Sequence, residues 1–499
     1  MKSFFYNLAG GLNSAATKTA LGLDVDKVYW SDAKNVEIYK NRGITRQSGN
    51  IKIFEMAAKS PTIGLFAYQY DGEEFIFFNC ENENIYCYNV ASETLKLIHT
   101  GFSAAKEPTY VRFLTGVAVS NGVNNPVYFD YKVHQTAVSC GTVAADGSPL
   151  VGNAMASYKS RLWLASGGTL YFSALGRYND WTSADDAGYI SNFLADIDEI
   201  TALKEYKDYL AIYKKDATFL LSGTSPEDFA IQRFADKGAI SQAMVENANN
   251  KQYFFDGAVF SLEQVGILSQ ISVGDEASFP VKSMFEEYNP NSRHKGAAIH
   301  NQLKNQVWFF FPAQDGVYLN NILIYDYSNK AWLKRVLPQE ITCAACSGGK
   351  IYLADSQGAI YQDDTGSTFA GEPIDFYWKS PFFVLGEPNE RKYIDEFYLL
   401  LDDSKDNSFR FSTYKDNDDS AVDDVYDIEA LDNEALIWDS DATFWADDST
   451  GLNWGKLGEG VYKAEITQSN YSVRIAIEGD KDYQNFCLTG LEFKEIYYD

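Results

Sequence analysis

Ile63-Gly-Leu-Phe-Ala-Tyr-Gln-Tyr-Asp-Gly72, followed by Glu73-Glu-Phe-Ile-Phe-Phe78 and Asn84-Ile-Tyr-Cys-Tyr88, is the stretch whose reading decides the fold. It contains an apolar strand, an Asp-Gly turn, an aromatic strand and a third strand. Asp-Gly between alternating apolar runs is a strong local hairpin signal, because both turn residues tolerate positive φ. The unit returns at Met155–Ala165 with Thr169–Phe172, at Ile200–Tyr213 with Ala217–Leu221, at Gln252–Leu262, and at Lys350–Tyr361. A single unit of this kind leaves sheet faces uncovered. Packing against neighbouring copies covers them, which implies radial repetition.

Copies fall near residues 62–101, 107–141, 155–190, 199–240, 248–275, 296–336 and 341–364. A spacing of roughly 35–45 residues matches one four-stranded propeller blade. The expectation is therefore an all-β chain: a β-propeller of about seven blades over 61–366, preceded by a lead-in segment over 1–60. From 367 to 499 the strands lengthen and alternate, as in Ile374–Lys379, Ile394–Leu401, Phe409–Tyr414 and Tyr471–Ile477. These predict an antiparallel β-sandwich-like C-terminal domain. An acidic insertion or loop pair is expected within it, near 402–448. Three local expectations accompany this outline: a helical turn after Trp30 capped by Ser31, a hairpin over 41–46, and a short rim helix over 277–288.

Composition agrees with a packed β protein. Of 499 residues, 45% are hydrophobic, and 34 Tyr and 33 Phe supply the side chains that pleated, half-buried surfaces favour. The formal charge of −27 disfavours DNA binding through a basic patch and binding to anionic membranes. Apolar runs all fall short of the ~20 residues a membrane helix needs. Met1–Gly11 starts like a signal peptide, but Asn7 and the Gly pair break its apolar run. Synthesis in a cytoplasm, without membrane insertion, is the expectation.

The residues that could carry chemistry are few. Six cysteines in this length do not form a disulfide framework. Cys343-Ala-Ala-Cys346 has redox or half-zinc spacing, yet a partner CxxC or HxxxH is missing, so it reads as a strand with inward thiols. The histidines, His99, His134, His294 and His300, stand apart from any GxSxG, HExxH or P-loop pattern. Asp447–Trp454 is a defective Asp box, with Ser449 where Asp is needed. Asp416–Asp427 places oxygens in a calcium-loop frame, but Ala421 stands at the glycine position and Asp427 at the bidentate glutamate position. Trp438, Trp445 and Trp454 form either a glycan-stacking surface or anchors for the acidic stretch. No catalytic residue, cofactor or metal is expected.

Several motifs, in order, resemble one family. Gly10-Gly-Leu-Asn-Ser14, Asn35-Val36 and Lys40-Asn-Arg-Gly-Ile-Thr-Arg46 are similar to the opening of short-tailed phage tail proteins. Ser157–Leu164, Leu170–Ala174 with Tyr178–Trp181, Glu199–Leu203, Phe254–Phe260 and Ser380–Tyr393 continue the similarity to about residue 400. The resemblance is to the tail nozzle, or tail tubular protein B, family of podovirus-like phages, related to tail hub and packaged-DNA stabilization proteins. It implies a non-enzymatic structural subunit of the virion tail, made in the host bacterial cytoplasm. It also implies a homo-hexameric ring around the DNA-ejection channel, contacting tail adaptor and tail fibre proteins. On this reading Gly10, Gly11, Leu12, Asn13, Asn35, Arg42 and Gly43 are the family-motif residues. Acidic walls let a duplex slide where basic ones would grip its phosphates. The candidate channel-lining acids are Asp416, Asp418, Asp419, Asp423, Asp424 and Asp427. The alternatives are a propeller glycan hydrolase using paired carboxylates and a host-surface glycan-binding module.

Overall fold

The computed structural model describes residues 3–498 apart from 22–25, 145, 192–197, 266–269, 403–406, 420–421, 423, 429–454, 457–460 and 482–483. Among the described residues, six four-stranded antiparallel sheets follow one another along the chain as simple meanders, and a seventh completes three consecutive strands with one from near the N-terminus. Blade 1 spans 62–100, blade 2 109–139, blade 3 154–190, blade 4 202–235, blade 5 245–273, blade 6 297–336 and blade 7 341–363. The first strand of each blade touches the first strand of the next, and the strand of blade 7 touches that of blade 1. The blades therefore form a closed seven-bladed propeller.

Two-residue turns with positive φ connect the first two strands of several blades. Examples are Asp71-Gly72, Lys159-Ser160, Asn249-Asn250 and Gly348-Gly349. Such turns match the right-handed twist of the strands they join. Apolar clusters fill the spaces between blades. Trp163 and Phe172 of blade 3 pack with Leu203, Leu210 and Phe219 of blade 4. Ile76 and Phe78 of blade 1 pack with Tyr352 and Ala354 of blade 7.

Blade 7 contributes three strands from 341–363 and takes its outermost strand from Asn50–Glu55, which pairs antiparallel with Ala359–Asp363. The first and last parts of the propeller are thus joined by a sheet ladder. Arg335 of blade 6 reinforces this closure. Its side chain is 1% exposed and meets Asp363 Oδ1 at 2.5 Å. The same guanidinium donates to Gln47 Oε1 at 3.1 Å and to the Ser48 carbonyl at 2.8 Å. It also lies 5.0 Å from the Phe369 ring centroid. One buried cation thereby ties the segment entering the closing strand to two blades.

The remaining strands build two packed sheets. One comprises Val36–Tyr39, Gly43–Arg46, Cys487–Tyr498, Lys392–Leu401, Val461–Asn470 and Gly455–Lys456, with Ser3–Phe5 paired to Cys487–Tyr498. The other runs Asp32–Lys34, Phe376–Lys379, Val473–Gly479, Phe409–Lys415 and Asp424–Ile428. Phe397 of the first sheet stacks on Phe411 of the second at 5.5 Å between ring centroids. The sandwich core is continuous with that of blades 5 to 7.

Residues 1–60 are therefore not a separate lead-in, since their strands belong to both sandwich sheets and to blade 7. Three local expectations change or sharpen. The stretch after Trp30 is extended, with strands Asp32–Lys34 and Val36–Tyr39 separated by Asn35 at φ 57°. Ser31 caps no helix, and its hydroxyl donates to the Lys379 and Ser380 carbonyls. The rim segment Phe279–Glu287 is 3₁₀, broken at Val281, because Pro280 and close docking against the N-terminal segment replace a regular amphipathic face. The hairpin over 41–46 is present, turning through Lys40 and Asn41 at positive φ.

Candidate functional site: the propeller–sandwich junction

The N-terminal resemblance motifs lie where the sandwich docks on blade 6, whereas those at 157–181, 199–203 and 254–260 lie in blades 3 to 5. Gly10 donates to the Val28 carbonyl at 3.0 Å, and Leu12 donates to the Trp332 carbonyl at 2.8 Å. The N-terminal segment is thus threaded, backbone to backbone, between residues 28–30 and the outer strand of blade 6, Ala331–Val336. A Cβ on Gly10 would lie 2.1 Å from the Val28 oxygen, and one on Gly11 would lie 2.8 Å from the Trp332 nitrogen. Gly11 also has φ +70°. The Gly-Gly pair is a steric requirement of this crossing. Asn13 Oδ1 accepts from the Ala15 and Ala16 amides and turns the chain toward the rim segment.

Asn35 is the pin of the joint. It is 1% exposed and lies in the left-handed region. Its amide donates to the Lys334 carbonyl at 3.0 Å, and its Oδ1 accepts from the Val336 amide at 2.8 Å. Its Nδ2 donates to the Asp375 carbonyl at 2.7 Å. One side chain thereby bridges blade 6 to the sandwich, which explains why Asn serves where Gly would satisfy φ but bond nothing. The Arg42 carbonyl accepts from the Leu8 amide at 2.7 Å. Gly43 passes under the Leu488 carbonyl, where a Cβ would come within 2.6 Å. A second link is ionic: Lys304 of blade 6 bonds Glu37 of the sandwich and Asp364 beyond blade 7, each at 2.6 Å.

A cavity of about 280 Å³ opens at this joint, walled by Leu12, Met284, Lys334, Tyr377, Lys379 and Arg474, among others. Asp32, Glu287 and Asp419 also line it. Arg474 is 2% exposed, and burial lowers its pKa while Asp419 beside it works in the opposite direction. Tyr377 donates to Asp32 Oδ2 at 3.1 Å, and burial followed by the Asp32 charge raises its pKa.

Three of the candidate acids have different partners. Asp416 Oδ1 accepts from the Tyr471 amide at 2.6 Å, Asp419 pairs with Arg474, and Asp427 Oδ1 accepts from Arg410 Nε at 3.1 Å. Asp418 is exposed on the turn after Phe409–Lys415, Asp424 opposes Thr413 in the edge pairing, and Asp423 lies outside the described residues. The acidic stretch is not an insertion from its start, because Phe409–Lys415 is an interior strand paired on both sides. Its calcium-like frame starts on the turn after Phe409–Lys415 and ends inside the strand Asp424–Ile428, with no flanking helices among the described residues. Trp438, Trp445, Trp454 and the Asp-box-like stretch 447–454 lie outside the described residues.

The CxxC pair splits across its strand. Cys343 is buried with Met56 and Cys80 between blades 7 and 1, whereas Cys346 packs against the opposite cluster. Side chains three apart on a strand face opposite sides, so the two thiols share no site. Burial pushes the Cys346 thiol up to about 12. His300 Nε2 lies 3.1 Å from the Tyr327 hydroxyl, and His134 Nδ1 accepts from the Asp130 amide at 3.1 Å. Among the described residues no group of His, Cys, Asp and Glu is arranged to hold a metal ion.

The joint could be foreseen only as a set of motifs. Arg335 and Arg474, its two deeply buried cations, carried no sequence signal, because each occupies an ordinary alternating strand. No family model matches the chain. No curated protein matches it. Among solved structures, a chain of the "Crystal Structure of Mitotic Checkpoint Complex" is similar with a TM-score of 0.40 and 13% identity, over 64% of this chain and 93% of that one. The chain is a seven-bladed β-propeller fused to an antiparallel β-sandwich, on the strength of its own strand pairing.

Proposed function

We propose that this protein is a structural subunit of a short-tailed phage tail, a nozzle or hub protein forming a ring of about six copies around the ejection channel. The observation that carries this reading is that the N-terminal resemblance motifs Gly10–Asn13 and Asn35 lie in one propeller–sandwich joint. Leu12 and Asn35 bond blade 6, whereas residues 40–46 pair with Cys487 and Leu488 inside the sandwich and the Ser380 carbonyl accepts from Ser31. Residues so far apart in the chain are constrained together when a fixed domain arrangement is what the protein supplies. A subunit that holds neighbours in a ring needs such a rigid seam. Tail adaptor and fibre proteins are the expected neighbours, and the genome is expected to pass without specific binding.

The overall charge of −27 favours a lumen that repels duplex phosphate. The acids to neutralise are Asp418, exposed on the turn after Phe409–Lys415, and Asp424, which opposes Thr413 on the edge strand. Asp418→Asn with Asp424→Asn should slow genome release, and unchanged ejection kinetics would refute the lumen assignment. The assembly itself is tested by light scattering of the purified protein, alone and with its tail adaptor. A ring mass supports the proposal. A monomer under all conditions overturns it and directs attention to glycan arrays and hydrolase screens.

A further inference from the structure

Two carboxylates share one ammonium across the seam. Lys304, on the turn between the first two strands of blade 6, reaches Glu37 Oε2 on the sandwich and Asp364 Oδ1 just past blade 7, each at 2.6 Å. Both oxygens sit on the same nitrogen, so they lie within about 5 Å of each other, where like charges repel. All three side chains are mostly buried, so solvent screens them poorly. Asn301 Nδ2 donates to Asp364 Oδ2 at 3.2 Å but brings no charge. The neighbouring pair, Arg335 with Asp363, is already balanced and buried. When all five groups are ionised they carry three negative charges against two positive ones. His300, next to Asn301 in its strand, faces the opposite side and meets Tyr327. The charges acting on Glu37 are those of Lys304, Asp364 and Arg335.

We propose that Glu37, Lys304 and Asp364 form a proton-operated latch between the sandwich and the propeller: one proton entering the carboxylate pair tightens the seam, and its loss loosens it. One ammonium neutralises one carboxylate and leaves the other as an uncompensated charge, which is costly in a buried seam. A proton on Glu37 leaves Lys304 to Asp364 and makes the Glu37 carboxyl a donor instead of a second anion. Burial raises the Glu37 pKa above its ordinary value, Lys304 opposes the shift, and the Asp364 charge adds to it. A carboxyl whose folded pKa lies above its unfolded one contributes stability that is complete below the unfolded value. That contribution is lost as pH rises through the folded value. An ordinary stabilising ion pair gives the opposite sign, strengthening as its carboxylate ionises. The neutral hydrogen bonds of Asn35 hold the same seam at either pH, so the latch adjusts the joint without unfastening it. The inference is independent of the tail reading.

The test is hydrogen exchange of the full chain, read on the peptide covering residues 36–46, in the parent, Glu37→Gln and Asp364→Asn. Comparing proteins at one pH cancels the intrinsic exchange rate. Glu37→Gln fixes the uncharged form of the latch, and Asp364→Asn gives Glu37 sole use of Lys304. Asn also suits the positive φ of 59° at position 364. Protection in the parent, relative to either variant, should fall at least about threefold as pH rises from ~4.5 to ~8. A ratio that stays constant, or that rises with pH as for an ordinary ion pair, would overturn the proposal. So would failure of Glu37→Gln to fold, because the proposal makes a neutral side chain there the relaxed state of the seam.

Discussion

Replacing Asn35 tests whether a single side chain pins the propeller to the sandwich. Asn35→Ala removes two hydrogen bonds and leaves the Val336 amide and the Asp375 carbonyl without their partner. Each orphaned group costs about 1–2 kcal/mol in a partly buried setting. Alanine at φ 57° adds about 1 kcal/mol, because its Cβ crowds the carbonyl oxygen in the left-handed region. The expected loss is roughly 3–5 kcal/mol at the joint. Asn35→Gly suffers the same lost bonds but not the strain, so it should be milder by about 1 kcal/mol. Asn35→Asp keeps the acceptor for Val336 and places an oxygen against the Asp375 carbonyl. Its defect should ease as pH falls and the carboxyl regains a proton to donate. The assay is native-state hydrogen exchange of the peptide covering Ala331–Val336, read alongside the urea midpoint. Protection there should fall by about two orders of magnitude or more in Asn35→Ala, each tenfold corresponding to about 1.4 kcal/mol. Protection within about tenfold of the parent, or a glycine variant worse than the alanine one, would refute the reasoning.

Arg335→Met should destabilise the propeller by about 3–5 kcal/mol by stranding Asp363, and the double variant with Asp363→Leu should recover much of that loss; equal damage in single and double variants would contradict the pairing. Gly10→Ala, which drives a Cβ into the Val28 carbonyl, should cost about 3 kcal/mol or prevent soluble expression, while Gly72→Ala, at an open turn, should remain folded when both are compared by thermal melting. The Asp186 carboxyl is held below the usual carboxylate range, first by its bond from Arg161, so its contribution is present above the unfolded carboxylate pKa and lost as pH falls through the folded value; the stability gap between parent and Asp186→Asn should therefore narrow between pH ~7 and ~3. Cys80, Cys87 and Cys346 have thiols pushed to about 12 by burial, so a disulfide-exchange reagent should label them slowly at neutral pH until the protein unfolds, and rapid labelling would contradict the packing.

The blades were legible because their signals are local. Asp71-Gly72 marks a turn that needs positive φ, and aromatic runs mark strands such as Phe75–Phe78, whatever lies elsewhere in the chain. The sandwich strands 394–401 and 409–414 were legible for the same reason. The short rim helix was legible from its helical apolar spacing, whereas its 3₁₀ form and its docking against Ser14 were not. Phe409 and Phe411, on a strand read inside the acidic stretch, are core residues, so the stretch does not begin as an insertion.

Sequence by itself thus determined the repeat, the all-β class, the count of about seven blades and the absence of a CxxC partner, because each rests on spacing within a few dozen residues. Tertiary structure alone decided that Asn50–Glu55 closes blade 7, that Arg335 and Asp363 meet, and that Gly10, Asn35 and Arg474 belong to one seam. Those pairings join residues tens to hundreds of positions apart. An ordinary six-residue strand such as Asn50–Glu55 carries no mark of its partner until the ring of blades brings the edge of Ala359–Asp363 beside it.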